Sequence, residues 1–179
     1  MAATLKQDEA VPASYPAIPT GLSTAAAALS STPIWQRIEG YVSARWTARA
    51  VIWTAEGPGD WAPLLTPATI TLAEQWKGTA WATVTPDASA LGGYCLDDAT
   101  YRITATVGSG TVPAAVNEAF KRLAEYLATH TSGMAGARSY SMNLGGDMVE
   151  SFDRDPNWTA RAMTNSGAAD LLRPYRRLA

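Results

Sequence analysis

The chain has 179 residues, of which 47% are hydrophobic and only 17% are charged, and its formal net charge is −2. This length allows one modest domain with extensions and a hydrophobic core of its own. The slightly negative charge argues against a protein whose main task is to bind nucleic acid, because that task needs a basic surplus. Seven Trp and seven Tyr in so weakly charged a chain are typical of a subunit that buries surface against partners.

The single cysteine, Cys95, excludes an internal disulfide and a cysteine-rich zinc site. We therefore expect a buried or neutral thiol in a reducing compartment. The N-terminal stretch carries Lys6, Asp8 and Glu9 without a continuous apolar run, which argues against a signal peptide. No segment approaches the roughly 18 apolar residues that cross a bilayer. We expect a protein made in the cytosol, with no membrane partner.

The first third of the chain predicts an arm followed by two short helices. Residues 1–21 contain three prolines among small and polar residues, which predicts an extended N-terminal arm without a core of its own. Residues 22–29 are rich in alanine and predict one short helix. A second helix is predicted with Thr32 as its N-cap and Pro33 in its first position. Its apolar face comprises Ile34, Trp35, Ile38, Tyr41 and Val42.

From about residue 45 to residue 107 the hydrophobic pattern has a period of two. The clearest alternation covers Thr100–Val107, and weaker ones cover residues 46–53, 69–72 and 79–85. Alternation of this kind, interrupted by Gly and Pro, predicts antiparallel strands with one buried face. We therefore expect a small antiparallel sheet of four strands.

The strongest helix signal covers about residues 112–130. Thr111 is the predicted N-cap, Pro113 lies in the first turn, and Gly133 ends the helix. The pattern is that of an amphipathic helix with one apolar stripe. This stripe consists of Val116, Phe120, Leu123 and Leu127.

Residues 133–179 predict a docking tail that ends in a short helix. That helix has Asn165 or Ser166 as its N-cap and ends before Pro174. A tail this apolar and this short should pack against another surface. Two surfaces are possible: that of another subunit, or the sheet of the same chain. The predicted fold is α+β: a small helical core over residues 22–132 with an inserted antiparallel sheet, a long amphipathic helix, and extended N- and C-terminal arms.

Side chains suited to catalysis are few. The single histidine, His130, ends the long helix, where a lone His is usually a helix-terminus cation. Asp97 and Asp98 are adjacent in a predicted turn, so they are better explained as turn formers than as an acid/base pair. The glycines of the stretch GSG before the long helix are explained by turn geometry, since no phosphate-loop Lys follows them. We predict no enzyme and no cofactor.

Two rival interpretations stay open. The acidic residues of the tail lack the pattern of a calcium-binding loop, so we favour no metal there, although a metal-bearing enzyme fragment or regulatory subunit is one alternative. These residues are Asp147, Glu150, Asp153 and Asp155. The other alternative is a Trp-rich β-module that binds carbohydrate or another small ligand. It rests on Trp46, Trp53, Trp61, Trp76 and Trp81, of which Trp46 has the opposite parity from three of the others.

The order of these parts resembles that of a known family. YRITATVGSG leads into VPAAVNEAFKRLAEYLATH, and the chain closes with SGAADLLRPYRRL. Over residues 33–179 the chain resembles the head–tail connector (adaptor) proteins of long-tailed phages and gene transfer agents. Members of that family show a Y-x-[IV]-x-x-x-x-G strand, a VP-x-x-[IV]-x-x-A helix and an SGA-x-x-LL-x-P-[YF]-R ending. Their well-marked pair of longer first helices is weak here.

The resemblance implies a structural subunit of the virion, assembled in the host cytoplasm. Its copies would form a closed, twelvefold ring beneath the portal at the capsid vertex, extending the DNA channel and offering a tail attachment surface. The implied partners are the portal protein, a tail terminator or stopper protein and further copies of the chain, while DNA passes without specific contact. The helix Val112–His130 would serve the core and the ring contacts. The implied portal-binding residues are Ser166, Gly167, Ala168, Leu171, Leu172, Arg173, Pro174, Tyr175 and Arg176.

The closing stretch also has interface chemistry of its own. Arg and Tyr after a pair of Leu are typical of protein interfaces, whereas three arginines on a mixed tail are a weak nucleic-acid signal. If the tail serves only for docking, deletion of residues 165–179 should abolish portal binding and leave the monomer folded.

Overall fold

The computed structural model describes residues 2–90, 92–131, 139–143, 149–153 and 157–176, and in these ranges it is α+β, as the sequence predicts. The chain divides into two compact units. The β unit consists of residues 1–16, 42–112 and 175–179, and the helical unit of residues 17–41 and 113–174.

The β unit contains two antiparallel sheets. The larger sheet has the strand order β1-β2-β8-β4-β5, and the smaller has the order β3-β7-β6. The strands of the larger sheet are β1 (Ala3–Glu9), β2 (Arg49–Glu56), β4 (Ala68–Trp76), β5 (Trp81–Thr83) and β8 (Thr100–Val107). Those of the smaller sheet are β3 (Gly59–Trp61), β6 (Asp87–Ser89) and β7 (Gly93–Leu96).

The core of the β unit lies on one face of the larger sheet. Val51, Trp53 and Ala55 of β2 are buried, and their neighbours along the strand point the other way. The same alternation buries Tyr101, Ile103, Ala105 and Val107 of β8. The period-two pattern therefore identified both strands, and for β8 it also identified the face that is buried.

The edge strand β1 was not predicted, because residues 1–21 were expected to form an arm without a core. In the structure Ala3–Glu9 pairs antiparallel with β2, from Ala3 opposite Glu56 to Glu9 opposite Val51. The strand also supplies acceptors to the core. The Trp53 indole donates to the Gln7 side chain (2.8 Å), and the Trp61 indole donates to the Thr4 hydroxyl (2.9 Å). Each contact satisfies a polar atom of a buried ring.

A buried ion cluster fixes the end of β1. The Glu9 carboxylate accepts two hydrogen bonds from Arg45 (2.6 and 3.0 Å) and one from Arg49 (3.2 Å). Arg45 also donates to the carbonyls of Val42 and Ala44 (3.1 Å each). The Arg45 guanidinium thus binds the carboxylate through two nitrogens and also donates to backbone carbonyls. A buried ion pair is well satisfied in this arrangement.

One glycine of the β unit is required by close packing. Gly108, in the turn that follows β8, has φ +87, and a Cβ at this position would lie 2.3 Å from the carbonyl oxygen of Thr47. Both the left-handed backbone and the missing side chain are therefore needed here.

The helical unit is built around one long helix. Its elements are α1 (Thr24–Ala27), α2 (Ser31–Tyr41), α3 (Ala114–Thr131), β9 (Ser139–Asn143), β10 (Val149–Asp153), α4 (Ala162–Asn165) and α5 (Ala168–Leu172). Strands β9 and β10 pair antiparallel in a two-stranded sheet, which the sequence pattern does not predict. A 3₁₀ turn, Arg173–Tyr175, follows α5.

The stripe of α3 forms the core of the helical unit. Val116, Phe120 and Leu123 are buried, whereas Leu127 is only half-buried. The Phe120 ring packs against Trp35 of α2, with ring centroids 4.8 Å apart. In the described ranges, no helix combines the length and the apolar character needed to span a bilayer.

The start of α3 differs from the prediction. Thr111 is exposed and does not cap the helix, which begins at Ala114. The Pro113 carbonyl instead accepts from the backbone N–H groups of Val116 (3.0 Å) and Asn117 (3.1 Å). Proline has no N–H to lose and a φ already suited to a helix, so it serves well at this boundary.

Candidate interaction surface

The closing motif, residues 166–176, is built on a tight turn between α4 and α5. Gly167 adopts φ 71, which a residue with a side chain rarely does. The Ser166 hydroxyl accepts from the backbone N–H of Ala168 (3.3 Å) and donates to the carbonyl of Met163 (3.4 Å). Asn165 instead belongs to α4, so of the two predicted caps only Ser166 bonds to the start of α5.

The motif divides into a buried half and an exposed half. Ala168 and Leu172 are fully buried, and α5 packs against α3 of the same chain. Leu171 is half-buried, while Arg173, Pro174 and Arg176 are exposed. Two of the implied portal-binding residues, Ala168 and Leu172, are thus covered by their own chain, and the portal-binding role of the set stays a prediction. The expectation that residues 165–179 are dispensable for folding conflicts with the same burial.

The end of the motif is also held by its own chain. The Tyr175 carbonyl accepts from the backbone N–H of Ser43 (3.2 Å) and from the Ser43 hydroxyl (3.4 Å). The Tyr175 ring lies edge-on to Trp46, with centroids 6.4 Å apart and planes at 70°. Trp46 is buried. Aromatic pairs in this geometry stabilise beyond the burial of their area.

A polar groove of about 530 Å³ adjoins the turn on the helical unit. Its floor is the solvent side of α3, where Arg122 pairs with Glu118 one turn earlier (3.1 Å). Glu125 accepts hydrogen bonds from the backbone N–H (2.6 Å) and hydroxyl (2.7 Å) of Ser23, and these bonds hold the pKa of Glu125 below its usual value. The lining residues are Gly21, Glu118, Lys121, Arg122, Glu125, Tyr126 and Ser166.

The residues considered for chemistry do not form a constellation where the structure describes them. Asp97 and Asp98 are exposed, and the Asp97 carbonyl accepts from the N–H of Ala99 (2.8 Å), as in a turn. Cys95 is exposed on β7, not buried. Within the described ranges, no three His, Cys, Asp or Glu side chains are grouped so that they could hold a metal ion.

The remaining candidates for a metal site or a catalytic role fall outside what the structure describes. Asp147 and Asp155 lie outside the described residues, as do the side chains of His130, Glu150 and Asp153. The prediction for the acidic segment therefore stays a prediction.

The structure narrows the Trp-based alternative. Trp46, Trp53 and Trp61 are buried, so they cannot serve as an exposed platform. Trp76 is 41% exposed, and its ring centroid lies 5.3 Å from that of Trp81 at an interplanar angle of 60°. Among these five residues, only the tilted pair of Trp76 and Trp81 is left for a stacking surface, and a fluorescence titration would measure its affinity for sugars.

Sequence reasoning missed two features that bear on interactions. One is the Glu9 cluster, because the sequence places Glu9 in the predicted extended arm. The other is an ion pair on the outer face of the larger sheet, where Arg102 donates two hydrogen bonds to the Glu74 carboxylate (2.7 and 2.9 Å). The hydrogen bonds from Arg102 lower the pKa of Glu74. Sequence spacing gives no sign of either, since each joins distant segments.

No protein family, no curated protein and no solved structure was found to match this chain. The role of the surface therefore rests on its own residues and contacts.

Proposed function

We propose that this protein is a structural head–tail connector (adaptor) subunit of a phage or gene transfer agent, and that its copies form a ring beneath the portal. The observation that carries the proposal is the closing motif. One half of it is built into the fold, and the other half presents Arg173, Pro174 and Arg176 to solvent.

A motif held in this way suits the binding of a large partner. Because the burial of Leu172 holds the chain directly before Arg173, docking of Arg173 would cost little conformational entropy. The Arg173 guanidinium offers a planar set of donors for carboxylates or helix-end carbonyls, and Pro174 keeps the turn stiff. Half-buried Leu171 would supply apolar contact beside them. These are the properties of an interface anchor.

The overall charge fits a subunit that lines a DNA channel. A net charge of −2 gives little attraction for phosphates, so DNA could slide past without being held. A ring needs no strong single contact, because closure repeats a modest one around the circle.

The test is a charge reversal within the exposed half of the motif. We expect Arg173→Glu to weaken binding to the portal protein encoded in the same genome at least about tenfold, the usual cost of an interface anchor. The melting temperature should stay unchanged, since Arg173 is exposed. Biolayer interferometry and a thermal melt measure the two quantities.

The matched control is Arg161→Glu, an exposed arginine of the helical unit outside the motif. It should bind like the wild type. Equal affinity of all three proteins, or no binding of the wild type to the portal or to tailless particles, would contradict the proposal. A genome in which portal and capsid genes are far from this one would count against it as well.

A further inference from the structure

Strand β1 and the surface that receives it are matched residue by residue. Gln7 accepts a hydrogen bond from the buried indole of Trp53 (2.8 Å). Thr4 accepts one from the buried indole of Trp61 (2.9 Å), and the Glu9 carboxylate pairs with two buried arginines. A strand of another sequence would not supply these three acceptors in this register. The edge of β2 is therefore a docking surface whose occupant the structure identifies as β1.

The connection that follows β1 is only loosely tied to the rest of the chain. The Ala10 N–H donates to the Ala50 carbonyl (2.9 Å), and the next backbone hydrogen bond along the chain involves Ser23, at the start of α1. Among the described residues, those from 11 to 22 take part in no hydrogen bond. A different path of this connection would therefore break no hydrogen bond.

Part of this connection is long enough to reach a neighbouring subunit. Tyr15 still contacts the β unit, since its ring centroid lies 5.7 Å from the Arg49 guanidinium. Ser23 is bonded to Glu125 of α3 (2.6 Å) in the helical unit. When fully extended, residues 16–22 between these two contacts span at most about 25 Å. This length lets β1 and Tyr15 cross together to a subunit that touches their own.

The order of the elements does not tie β1 to the β2 of the same copy. Between the two strands the chain passes through α1 and α2 of the helical unit before it returns to the β unit. The two strands are therefore not joined by a tight turn, which would fix the partner within one copy. Closing a long loop costs entropy, whereas a neighbour held in an assembly offers the same strand at a high effective concentration. Exchange between neighbours can therefore compete with pairing within one chain.

We propose that, when copies are held close together as in the assembled ring, β1 of one copy pairs with β2 of the next copy in the register seen within the single chain. The hydrogen bonds and ion pairs of the strand are kept, so the exchange costs few contacts and joins the neighbours. Each copy gives one strand and receives one, so the contact is heterologous and closes into a ring. The proposal rests on the proposed connector function and names the contact between its neighbouring subunits.

The experiment is site-specific cross-linking of full-length chains in a Cys95→Ser background, which removes the exposed native thiol. One protein carries Asp8→Cys and Ile52→Cys, at exposed positions that lie directly opposite each other in β1 and β2. The matched control carries Ile52→Cys and Thr104→Cys, at opposite positions in β2 and β8. Each protein is treated with a short bismaleimide after refolding from urea at high concentration, and again on tailless particles.

We expect the protein with Asp8→Cys and Ile52→Cys to give covalent dimers and larger products, because its two thiols join neighbouring chains. The control should give internally cross-linked monomers, because β2 and β8 stay in one chain. Monomers alone from both proteins under both conditions would overturn the proposal, as would equal yields of dimer from both. Products on particles that stop at the dimer would show a reciprocal pair and overturn the ring contact.

A second measurement uses the same variant with β1 locked in its own chain. Cross-linking at high dilution joins the thiols at positions 8 and 52 within one monomer, which is then purified. In analytical ultracentrifugation, we expect this locked monomer to self-associate at least about tenfold more weakly than the variant without cross-linker. Equal self-association of the two samples would contradict the exchange.

These outcomes separate the two proposals. If chains bind the portal but give only internal cross-links, the strand exchange is wrong and the connector function stands. If strands exchange after refolding but chains never bind the portal or tailless particles, the connector function fails and the exchange stands.

Discussion

At the residue scale, Glu9 shows how one side chain can place a segment. Its carboxylate receives three hydrogen bonds from Arg45 and Arg49, whose side chains are 9% and 4% exposed. The Arg49 guanidinium also lies 5.7 Å from the centroid of the Tyr15 ring. Loss of this carboxylate would remove a negative charge that contacts two buried cations.

We therefore predict that Glu9→Ala lowers the free energy of unfolding by about 3–5 kcal/mol, the cost of breaking a buried ion pair. Urea unfolding followed by tryptophan fluorescence measures this, because Trp53 lies in the core of the same unit. The neighbouring exposed residue provides the control, and Asp8→Ala should change the value by less than about 0.5 kcal/mol. Similar losses in both variants would contradict the assigned role of the cluster.

Glu125 gives a prediction about pH. Its pKa is lowered first by the backbone N–H of Ser23 and then by the Ser23 hydroxyl. A carboxylate whose pKa falls on folding stabilises the protein at pH values above its ordinary pKa of 4.5. This stabilisation is lost as the pH drops through the lowered pKa. We expect Glu125→Gln to flatten the acid limb of the stability curve below that value and to lower stability at neutral pH.

Urea unfolding between pH 7 and the acid limb measures the difference between wild type and variant. Glu118→Gln, on the same helix face, removes a carboxylate bonded to Arg122 instead of to Ser23. It should leave the slope closer to that of the wild type. Parallel curves of stability against pH for wild type and Glu125→Gln would show that the contact with Ser23 does not contribute to the pH dependence of stability.

At the element scale, α5 is both part of the core and the base of the proposed anchor. Leu172 is fully buried, whereas its neighbour Leu171 is only half-buried. A short helix of five residues has no stability of its own, so packing against α3 is what holds it. The exposed turn that follows depends on that packing for its shape.

We predict that Leu172→Ala costs about 2–5 kcal/mol of stability, as expected for a buried leucine. Leu171→Ala should cost less stability. Relative to the stability that each variant loses, Leu171→Ala should weaken portal binding more than Leu172→Ala does. Thermal melts and portal-binding isotherms of both variants provide the comparison. Equal destabilisation by the two substitutions would refute the division of the motif into a buried and an exposed half.

At the scale of the whole molecule, each unit is assembled from segments that are far apart in the chain. The β unit combines the N-terminal strand, residues 42–112 and the last residues, and the helical unit combines residues 17–41 with 113–174. Each has its own buried core, and the described surface still carries uncovered apolar side chains. A weakly charged chain with such patches is suited to assembly, which is the common element of both proposals.

The sequence by itself determined the fold class and the long helix with its buried stripe. It also determined four strands of the larger sheet, namely β2, β4, β5 and β8. These elements bury one face or stripe, and burial of that kind leaves a period in the chain. Only the tertiary structure decided that Ala3–Glu9 joins the sheet, that Glu9 is held by two arginines, and that Ala168 and Leu172 are covered by α3. An edge strand exposed on both faces has no period, and the surface that covers an apolar tail is chosen by contacts between distant segments.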